Sequence, residues 1–478
     1  MNYGTPQLLI GGKWSDGSSG QGQAVINPAN EEVLARVPHA DIGDMDRALT
    51  AAQTGFTVWS SMTAYQRQEI MERAARLIEE RREQFATVCS LEMGKPIRES
   101  RMEADFVAGV TRWYGEEGKR AYGRVIPSRI PGARQLVLKE PVGPVAAFTA
   151  WNFPGTNAIR KIAGALGAGC SIIIKPSEET PMTAVLIAKA FQDAGLPDGV
   201  INIIFGEPDL VSRHLIASPI TRKLTFTGSV QVGRHLQKLA AESLMRCTLE
   251  LGGHAPVLIF DDADIELAAS QMVASKFRNA GQVCISPTRF YIQRKVYSDF
   301  VDVFVEKVRT LKVDDGMKDD TDMGPLVAER RLGVMDRLVQ DAVSRGATVA
   351  TGGERIGNRG FYYKPTVLRD VPENAAIMND EPFGPLAPMT PFDEVDEAIS
   401  KANRLSVGLA AYAYTRNNAT AEKLTNRINA GVLGINNFAV ALPETPFGGV
   451  DESGYGSEGG IEGLEAYLRT RFVTEVRT

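Results

Sequence analysis

The order of hydrophobic and polar positions changes its character along the chain. Residues 64–97 place apolar side chains at helical spacing among glutamates and arginines, which predicts helix. From about residue 142, short apolar runs alternate with segments of helical period. Such alternation predicts parallel sheets that are covered by helices on both faces and connected by right-handed crossovers.

The alternation occurs twice, and LGGHAP (251–256) lies between the two series. Before it we predict strands at 143–151, 170–175, 200–205 and 223–227, with helices at 157–168, 181–194, 208–217 and 230–242. After it we predict strands at 257–260, 289–292, 408–415 and 431–436, with helices at 263–279 and 297–310. Two α/β domains in one chain is the economical interpretation.

Composition excludes several classes of function. A chain of 478 residues is long enough for two or three domains with large cores. Its net charge of −5 argues against nucleic acid or an anionic membrane as a partner. Four scattered cysteines and four histidines form neither a disulfide framework nor a metal site. The first residues lack the pattern of a signal peptide, and no apolar run could span a bilayer, so we expect a cytoplasmic protein.

Three residues could carry chemistry. Cys284 lies in RNAGQVCISPTR (278–289), where polar neighbours indicate a reactive thiol rather than core packing. Glu250, in the apolar segment TLELGG (248–253), would have a raised pKa suited to a general base, or would be a structural partner of an arginine. Asn152 ends a predicted strand, where its amide could stabilise an oxyanion or simply make a turn before Pro154.

Two segments could bind a dinucleotide. FTGSVQVG (226–233) follows a strand and opens a helix, so its backbone could bind a phosphate, although it is not the GxGxxG fingerprint. KPSE (175–178) places Lys175 and Glu178 at the carboxyl edge of the same predicted sheet, where open parallel sheets bind ligands. Those two side chains could hydrogen-bond ribose hydroxyls, or they could belong to a solvated loop.

Together these features resemble the aldehyde dehydrogenase superfamily. The resemblance covers nearly the whole chain through LEMGKP (91–96), AWNFP (150–154), KPSEETP (175–181), FTGS (226–229), LELGGHAP (249–256), FRNAGQVC (277–284), EPFGP (381–385) and PFGGV (446–450). Glu250 and Cys284 also have the family's spacing. Within the superfamily the chain is most similar to the succinate and 2-oxoglutarate semialdehyde dehydrogenases.

The resemblance implies two doubly wound α/β domains with a small β-extension for oligomerisation. Residues 1–122 and 142–252 would form the NAD-binding domain and 253–450 the catalytic domain. Residues 123–141 and 466–478 would form the oligomerisation segment of a homodimer or homotetramer.

The resemblance also implies roles for individual residues. Cys284 would be the nucleophile, Asn152 and the Cys284 backbone N–H the oxyanion hole, and Glu250 the base that activates water for thioester hydrolysis. The cofactor would be NAD, with NADP as the alternative. Its contacts would be Trp151, Lys175, Ser177, Glu178, Gly228, Ser229, Leu251, Glu381 and Phe383.

The implied substrate is an ω-semialdehyde acid whose distal carboxylate is held by Arg160 and Arg289. The loop FAVALPET (438–445) lacks a serine that succinate-type relatives carry, so a longer or more apolar acid-aldehyde would fit at least as well as succinate semialdehyde. A broad aliphatic or aromatic aldehyde dehydrogenase is the alternative. A CoA-acylating enzyme would lack Glu250, and a non-catalytic protein of this fold would lack the thiol or the base.

Overall fold

The computed structural model describes residues 3–476. The chain begins with two antiparallel strand pairs and four helices: β1 (Leu8–Ile10), β2 (Lys13–Ser15), β3 (Gly22–Ile26), β4 (Val33–Pro38), α1 (Ile42–Ser61), α2 (Ala64–Glu80), α3 (Arg82–Met93) and α4 (Ile97–Gly118). The single helix predicted at 64–97 is therefore two helices. The second ends at Gly94, whose left-handed φ of 86° terminates it.

The predicted alternation follows a strand pair, β5 (Arg124–Ile126) and β6 (Ala133–Pro141). Its elements are β7 (Val145–Phe148), α5 (Pro154–Ala168), β8 (Ile172–Lys175), α6 (Pro181–Asp193), β9 (Ile201–Ile203), α7 (Pro208–Ala217), β10 (Lys223–Thr227), α8 (Val230–Ala241) and β11 (Arg246–Glu250). Observed and predicted elements agree closely, because short buried strands and amphipathic helices can both be predicted from the spacing of apolar residues in the local sequence.

The second alternation contains β12 (Ala255–Ile259), α9 (Ile265–Phe277), β13 (Pro287–Gln293), α10 (Tyr297–Arg309), α11 (Glu329–Ser344), β14 (Thr348–Thr351), β15 (Thr366–Arg369), β16 (Leu386–Phe392), α12 (Val395–Ala402), β17 (Val407–Gly408), β18 (Ala410–Tyr414), α13 (Asn418–Arg427) and β19 (Val432–Ile435). The chain finishes with β20 (Val450–Asp451), β21 (Gly454–Tyr455), α14 (Gly460–Glu465) and β22 (Leu468–Val476).

The first large sheet has the strand order β2-β1-β9-β8-β7-β10-β11-β21, in which β9 to β11 are parallel. The chain fills one side from β7 to β9 and then crosses to β10 on the other side. The carboxyl ends of β7 and β10 thus meet where the winding direction reverses, which is the place where open α/β sheets bind ligands.

The second large sheet has the order β14-β15-β16-β13-β12-β18-β19 and is parallel from β15 to β19. Each sheet has its own hydrophobic core. The core around the first sheet contains buried residues from Tyr3 to Leu251 and from Leu464 to Leu468, and the core around the second contains buried residues from Ala255 to Phe447. The two large sheets and their helices agree with the predicted two α/β units. The exact domain limits remain a prediction.

The end of the chain returns to the first half of the molecule. β21 pairs antiparallel with β11 beside Glu250, and β22 joins β6 and β5 in a separate three-stranded sheet. Within residues 3–476, none of the helices has both the length and the hydrophobicity of a membrane span. The same residues contain no cluster of acidic, histidine and cysteine side chains that could ligate a metal ion.

Candidate active site

Cys284 lies in a tight loop between α9 and β13. The residues before it, Asn279, Ala280 and Gly281, all have left-handed φ angles, of 48°, 53° and 73°. Non-glycine residues in this region cost of order 1–3 kcal/mol each and persist only where the surroundings hold them. The sequence NAGQVC therefore encodes a strained turn that presents the thiol at the end of a short loop.

Contacts from both halves of the molecule hold this turn. The Asn279 side-chain amide donates to the Asn152 carbonyl oxygen at 2.8 Å, and the Gln282 side-chain oxygen accepts from the Val327 backbone N–H at 2.9 Å. A Cβ at Gly281 would lie 2.1 Å from the carbonyl oxygen of Gly384, so only glycine lets the turn pack against EPFGP. The thiol is thus held between the two sheets.

The surroundings of Cys284 disfavour the thiolate. Burial and the carboxylates of Glu381 and Glu250 raise its pKa to about 12, against the opposing charges of Arg160 and Arg278. The sulfur nevertheless keeps partial exposure. The resting group at neutral pH is therefore a protonated thiol within reach of a small molecule.

We expect Glu381→Gln to speed the alkylation of Cys284 by iodoacetamide several-fold. Burial raises the pKa of Glu381 to about 8, so above that pH its negative charge opposes thiolate formation. Removing that charge lowers the pKa of the thiol, and the gain should be larger at pH 9 than at pH 7. Peptide mass spectrometry of labelled Cys284 measures the rate, and exposed Glu354→Gln is the control. A Glu381→Gln rate equal to that of wild type at both pH 7 and pH 9 would contradict the coupling between Glu381 and the thiol.

Glu250 ends β11, and both of its carboxylate oxygens are buried without a hydrogen-bond partner in the described part of the chain. Burial and the nearby Glu458 raise its pKa well above the ordinary range, while Lys161 and Arg160 lower it. It is not the arginine-paired structural glutamate that the sequence left open. The neighbouring strand keeps it in place, because Leu251 donates its N–H to the Ser453 carbonyl at 3.0 Å.

A buried ion pair, Lys161 with Glu458, lies close enough to Glu250 to shift its pKa. The Lys161 ammonium donates to the Glu458 carboxylate and, at 2.7 Å, to the Thr227 hydroxyl. Both partners of the ion pair are almost wholly buried. The charge state of Glu250 therefore depends on Lys161 and Glu458, which lie far apart in the sequence and match no motif of the site.

Asn152 is fixed at its main chain and its side chain. Its carbonyl oxygen accepts from the Lys95 ammonium at 3.0 Å as well as from Asn279, and its side-chain Nδ2 donates to the Gln282 carbonyl at 3.1 Å. Lys95 pairs with buried Glu103 at 2.6 Å. Glu103 in turn accepts the first backbone N–H groups of α5, from Gly155 and Thr156, both at 2.9 Å.

The predicted cofactor residues surround the carboxyl edge of the first sheet. Lys175 and Glu178 form an ion pair at 2.5 Å, and Glu178 also accepts the Gly206 N–H at 3.1 Å. Ser229 caps the start of α8, and a Cβ at Gly228 would collide with the Phe226 ring at 2.3 Å. Leu251 packs over α8 at Gly233, while the Ser177 hydroxyl bonds to Glu179.

The remaining cofactor residues come from both sheets. Trp151 meets Phe383 edge to face with ring centroids 5.3 Å apart. The buried Glu381 carboxylate accepts the Gly253 N–H at 3.3 Å, and a Cβ at Gly252 would lie 2.6 Å from it. A helix N-terminus, a Lys–Glu pair and a sparsely bonded carboxylate along one edge fit the phosphates and ribose hydroxyls of a dinucleotide.

The two predicted substrate arginines have different surroundings. Arg160 is close enough to influence Cys284 and Glu250. Arg289 instead donates to three backbone carbonyls, those of His254, Lys401 and Ala402, at 2.8, 3.1 and 2.9 Å. These bonds occupy its buried guanidinium, and its charge is not among those that act on the Cys284 thiol, so the structure does not bring Arg289 to the thiol. Arg289 follows the nucleophile and lies on strand β13, where its guanidinium points to carbonyls around the second sheet.

Arg278, rather than Arg289, is the second arginine whose charge acts on the Cys284 thiol. Its guanidinium lies 5.1 Å from the centre of the Phe153 ring, and its charge lowers the pKa of Cys284. The signal was in the sequence, since Arg278 opens the segment RNAGQVC. Only the turn at Asn279–Gly281 shows that residues before the cysteine fold back toward it.

Comparison with known proteins agrees with this geometry. The aldehyde dehydrogenase family profile matches residues 14–473. The chain is 45% identical to 4-(hydroxymethyl)benzenesulfonate dehydrogenase TsaD1 of Comamonas testosteroni, over 98% of each chain. It is 38% identical to the NADP-type succinate-semialdehyde dehydrogenase GabD of Escherichia coli, over 98% of this chain and 97% of that one. The crystal structure of succinate-semialdehyde dehydrogenase from Burkholderia pseudomallei superposes with a TM-score of 0.97, at 37% identity over 99% of this chain and 98% of that one.

The chain belongs to the aldehyde dehydrogenase family. It is an NAD(P)-dependent aldehyde dehydrogenase, and the predicted fold class and enzyme class are confirmed. The roles of individual site residues remain predictions from sequence and geometry.

Proposed function

We propose that this enzyme oxidises an aldehyde with a distal anionic group, of the succinate or 2-oxoglutarate semialdehyde type, to the carboxylic acid. Relatives named for succinate semialdehyde and glutarate semialdehyde support this substrate class. The acyl group is released to water rather than to CoA, because Glu250 supplies a base beside the thiol.

The observation that carries the proposal is the state of Arg160. Its side chain is 5% exposed, and no carboxylate among residues 3–476 lies within ion-pair distance of it. Its Nε has no acceptor in the same range, and its guanidinium stacks between the rings of Phe447 and Phe106, with 4.3 and 5.4 Å to the ring centres. A buried cation without a counter-ion is costly, and a substrate anion would supply one.

The residues then divide the reaction between them. The Cys284 thiol loses its proton to solvent at its exposed side and attacks the aldehyde carbon as the thiolate. The Asn152 amide and the Cys284 backbone N–H stabilise the oxyanion that forms. Lys175, Glu178 and Glu381 would hold a nicotinamide dinucleotide, which would supply the hydride acceptor for the oxidation to the thioester. Glu250 takes a proton from the water that hydrolyses the thioester. Burial and the nearby Glu458 raise its pKa, which makes its carboxylate a stronger proton acceptor than that of an ordinary glutamate.

We expect Arg160→Leu and Arg278→Leu each to raise KM for a semialdehyde acid about 10–150-fold, the value of one charged hydrogen bond. The KM for an uncharged aldehyde of the same length should change much less, since it makes no such bond. Steady-state kinetics with both substrates measure the ratio, with exposed Arg309→Leu as the control. Equal losses for both substrates would show that the arginines act on the fold instead.

A second substrate class is favoured by the apolar side chains near the site and by one relative. Phe153, Phe438, Val440 and Ala441 pack against the second hydrophobic core and are only partly buried, as Cys284 is. The benzenesulfonate-type relative is 45% identical. An aromatic aldehyde with a para sulfonate or carboxylate would pair with the same cations while its ring packs on these side chains. A panel with matched aliphatic and aromatic anionic aldehydes separates the two classes. A preference for neutral aldehydes over both would overturn the proposal.

We expect kcat/KM to be higher with NAD than with NADP. The Glu178 carboxylate is held at the sheet edge by Lys175 and the Gly206 N–H, where a 2′-phosphate would be repelled. Glu178→Gln should narrow the preference by removing that charge. Initial rates with the two cofactors test this, and a wild-type preference for NADP would refute it.

We further propose a cytoplasmic homodimer or homotetramer that assembles through the sheet of β5, β6 and β22. Val125, Phe472 and Val476 leave more than half of their surface exposed there, which is unusual for large apolar side chains on one small sheet. All four cysteines are free thiols, in keeping with a reducing compartment.

A further inference from the structure

Asn157 is a polar residue that contacts the Asn152 side chain and that the reaction described above does not use. It lies on the first turns of α5 and is half-buried. Its side-chain Nδ2 donates to the Ala150 carbonyl at 3.2 Å and to the Asn152 side-chain Oδ1 at 3.1 Å. One amide nitrogen thus bonds both to the strand end before Asn152 and to Asn152 itself.

These bonds determine which way the Asn152 amide faces. A carbonyl can only accept, so the Ala150 carbonyl requires the nitrogen of Asn157 on its side. That nitrogen then requires the oxygen of Asn152. The Asn152 nitrogen must consequently be on the opposite side, where it donates to the Gln282 carbonyl at 3.1 Å. An amide nitrogen has two hydrogens, so one remains for a substrate oxygen.

We propose that Asn157 is a positioning residue that fixes the side-chain torsion of Asn152 and thereby aims its free N–H at the oxyanion. The inference rests on the proposed oxyanion role of Asn152. Lys95 and Asn279 hold only the main-chain carbonyl of Asn152, and rotation about the terminal torsion of asparagine is broad. Asn157 and Gln282 are the contacts that restrict this rotation.

The test is a double-mutant cycle on the single-turnover rate of cofactor reduction. Asn157→Leu has the size of asparagine without the donor, and Asn157→Ala provides a second variant with no risk of crowding. We expect each to lower the rate about 10-fold, while the KM for the aldehyde and the melting temperature change little. Asn152→Ala should cost about 10²–10³-fold, as for other oxyanion donors.

The decisive comparison is made in the Asn152→Ala background. If Asn157 acts through Asn152, adding Asn157→Leu there should change the rate less than twofold. A full 10-fold loss in that background would overturn the inference, because Asn157 would then act on the substrate directly. A rate unchanged by Asn152→Ala alone would refute the oxyanion role itself, which separates failure of the proposed function from failure of this inference. Unchanged rates in both Asn157 variants with an intact Asn152 effect would also overturn it.

Discussion

Cys284→Ala is expected to abolish aldehyde oxidation with either cofactor. The reaction needs a covalent bond to the substrate carbon, and among the cysteines only Cys284 is bordered by Glu250, Glu381, Arg160 and Arg278. Loss of a nucleophile typically removes several orders of magnitude of rate, to the detection limit of a spectrophotometric assay. The measurement is cofactor reduction by purified protein, with cofactor binding followed separately by fluorescence.

Two of the other cysteines provide matched controls. Cys89 is buried 3.6 Å from a Glu103 oxygen, and Cys247 lies half-buried at the start of β11. Cys89 is closed off from solvent, and the Cys247 thiol donates to the Met245 carbonyl at 3.4 Å, so neither thiol lies among the charged groups that surround Cys284. Cys89→Ala and Cys247→Ala should therefore retain kcat within a few-fold. Substantial turnover by Cys284→Ala would rule out the covalent mechanism.

Glu250→Gln is expected to release one equivalent of reduced cofactor per active site and then stall. The amide keeps the shape of the carboxylate but cannot take a proton from water, so the thioester should accumulate. The loss of a general base costs about 10²–10⁴-fold in the step that it serves. The first step should not slow, because the Glu250 charge raises the pKa of Cys284 and its removal favours the thiolate.

Rapid-mixing absorbance gives the size of the burst, and intact-protein mass spectrometry detects the acyl adduct. Glu266→Gln, at an exposed ion pair on α9, is the control and should turn over normally. A steady-state rate equal to wild type in Glu250→Gln would mean that another group activates the water. A missing burst would place Glu250 in the first step instead.

Local sequence was sufficient for much of the fold. The helix at 208–217 and the strand at 223–227 match their predicted bounds, because the apolar residues that each element buries follow the spacing of a helix or a strand over its whole length. The break at Arg81 was not predicted, because apolar residues keep their helical spacing through α2 and α3 although the helix is interrupted at Arg81. Motif order was sufficient for the family, and it named Cys284, Glu250 and Asn152.

Only the tertiary structure decided which charges surround that thiol. Arg289 and Arg278 are equally visible in the sequence, yet the strand after Cys284 carries one away while the left-handed turn before it brings the other back. The Lys161–Glu458 pair and the placement of β21 beside Glu250 join segments that are distant along the chain. Local periodicity records which face of an element is buried, but the partners across that face depend on how the elements pack. The sequence by itself therefore determined the chemistry of the reacting groups, and packing determined their electrostatics and the orientation of Asn152.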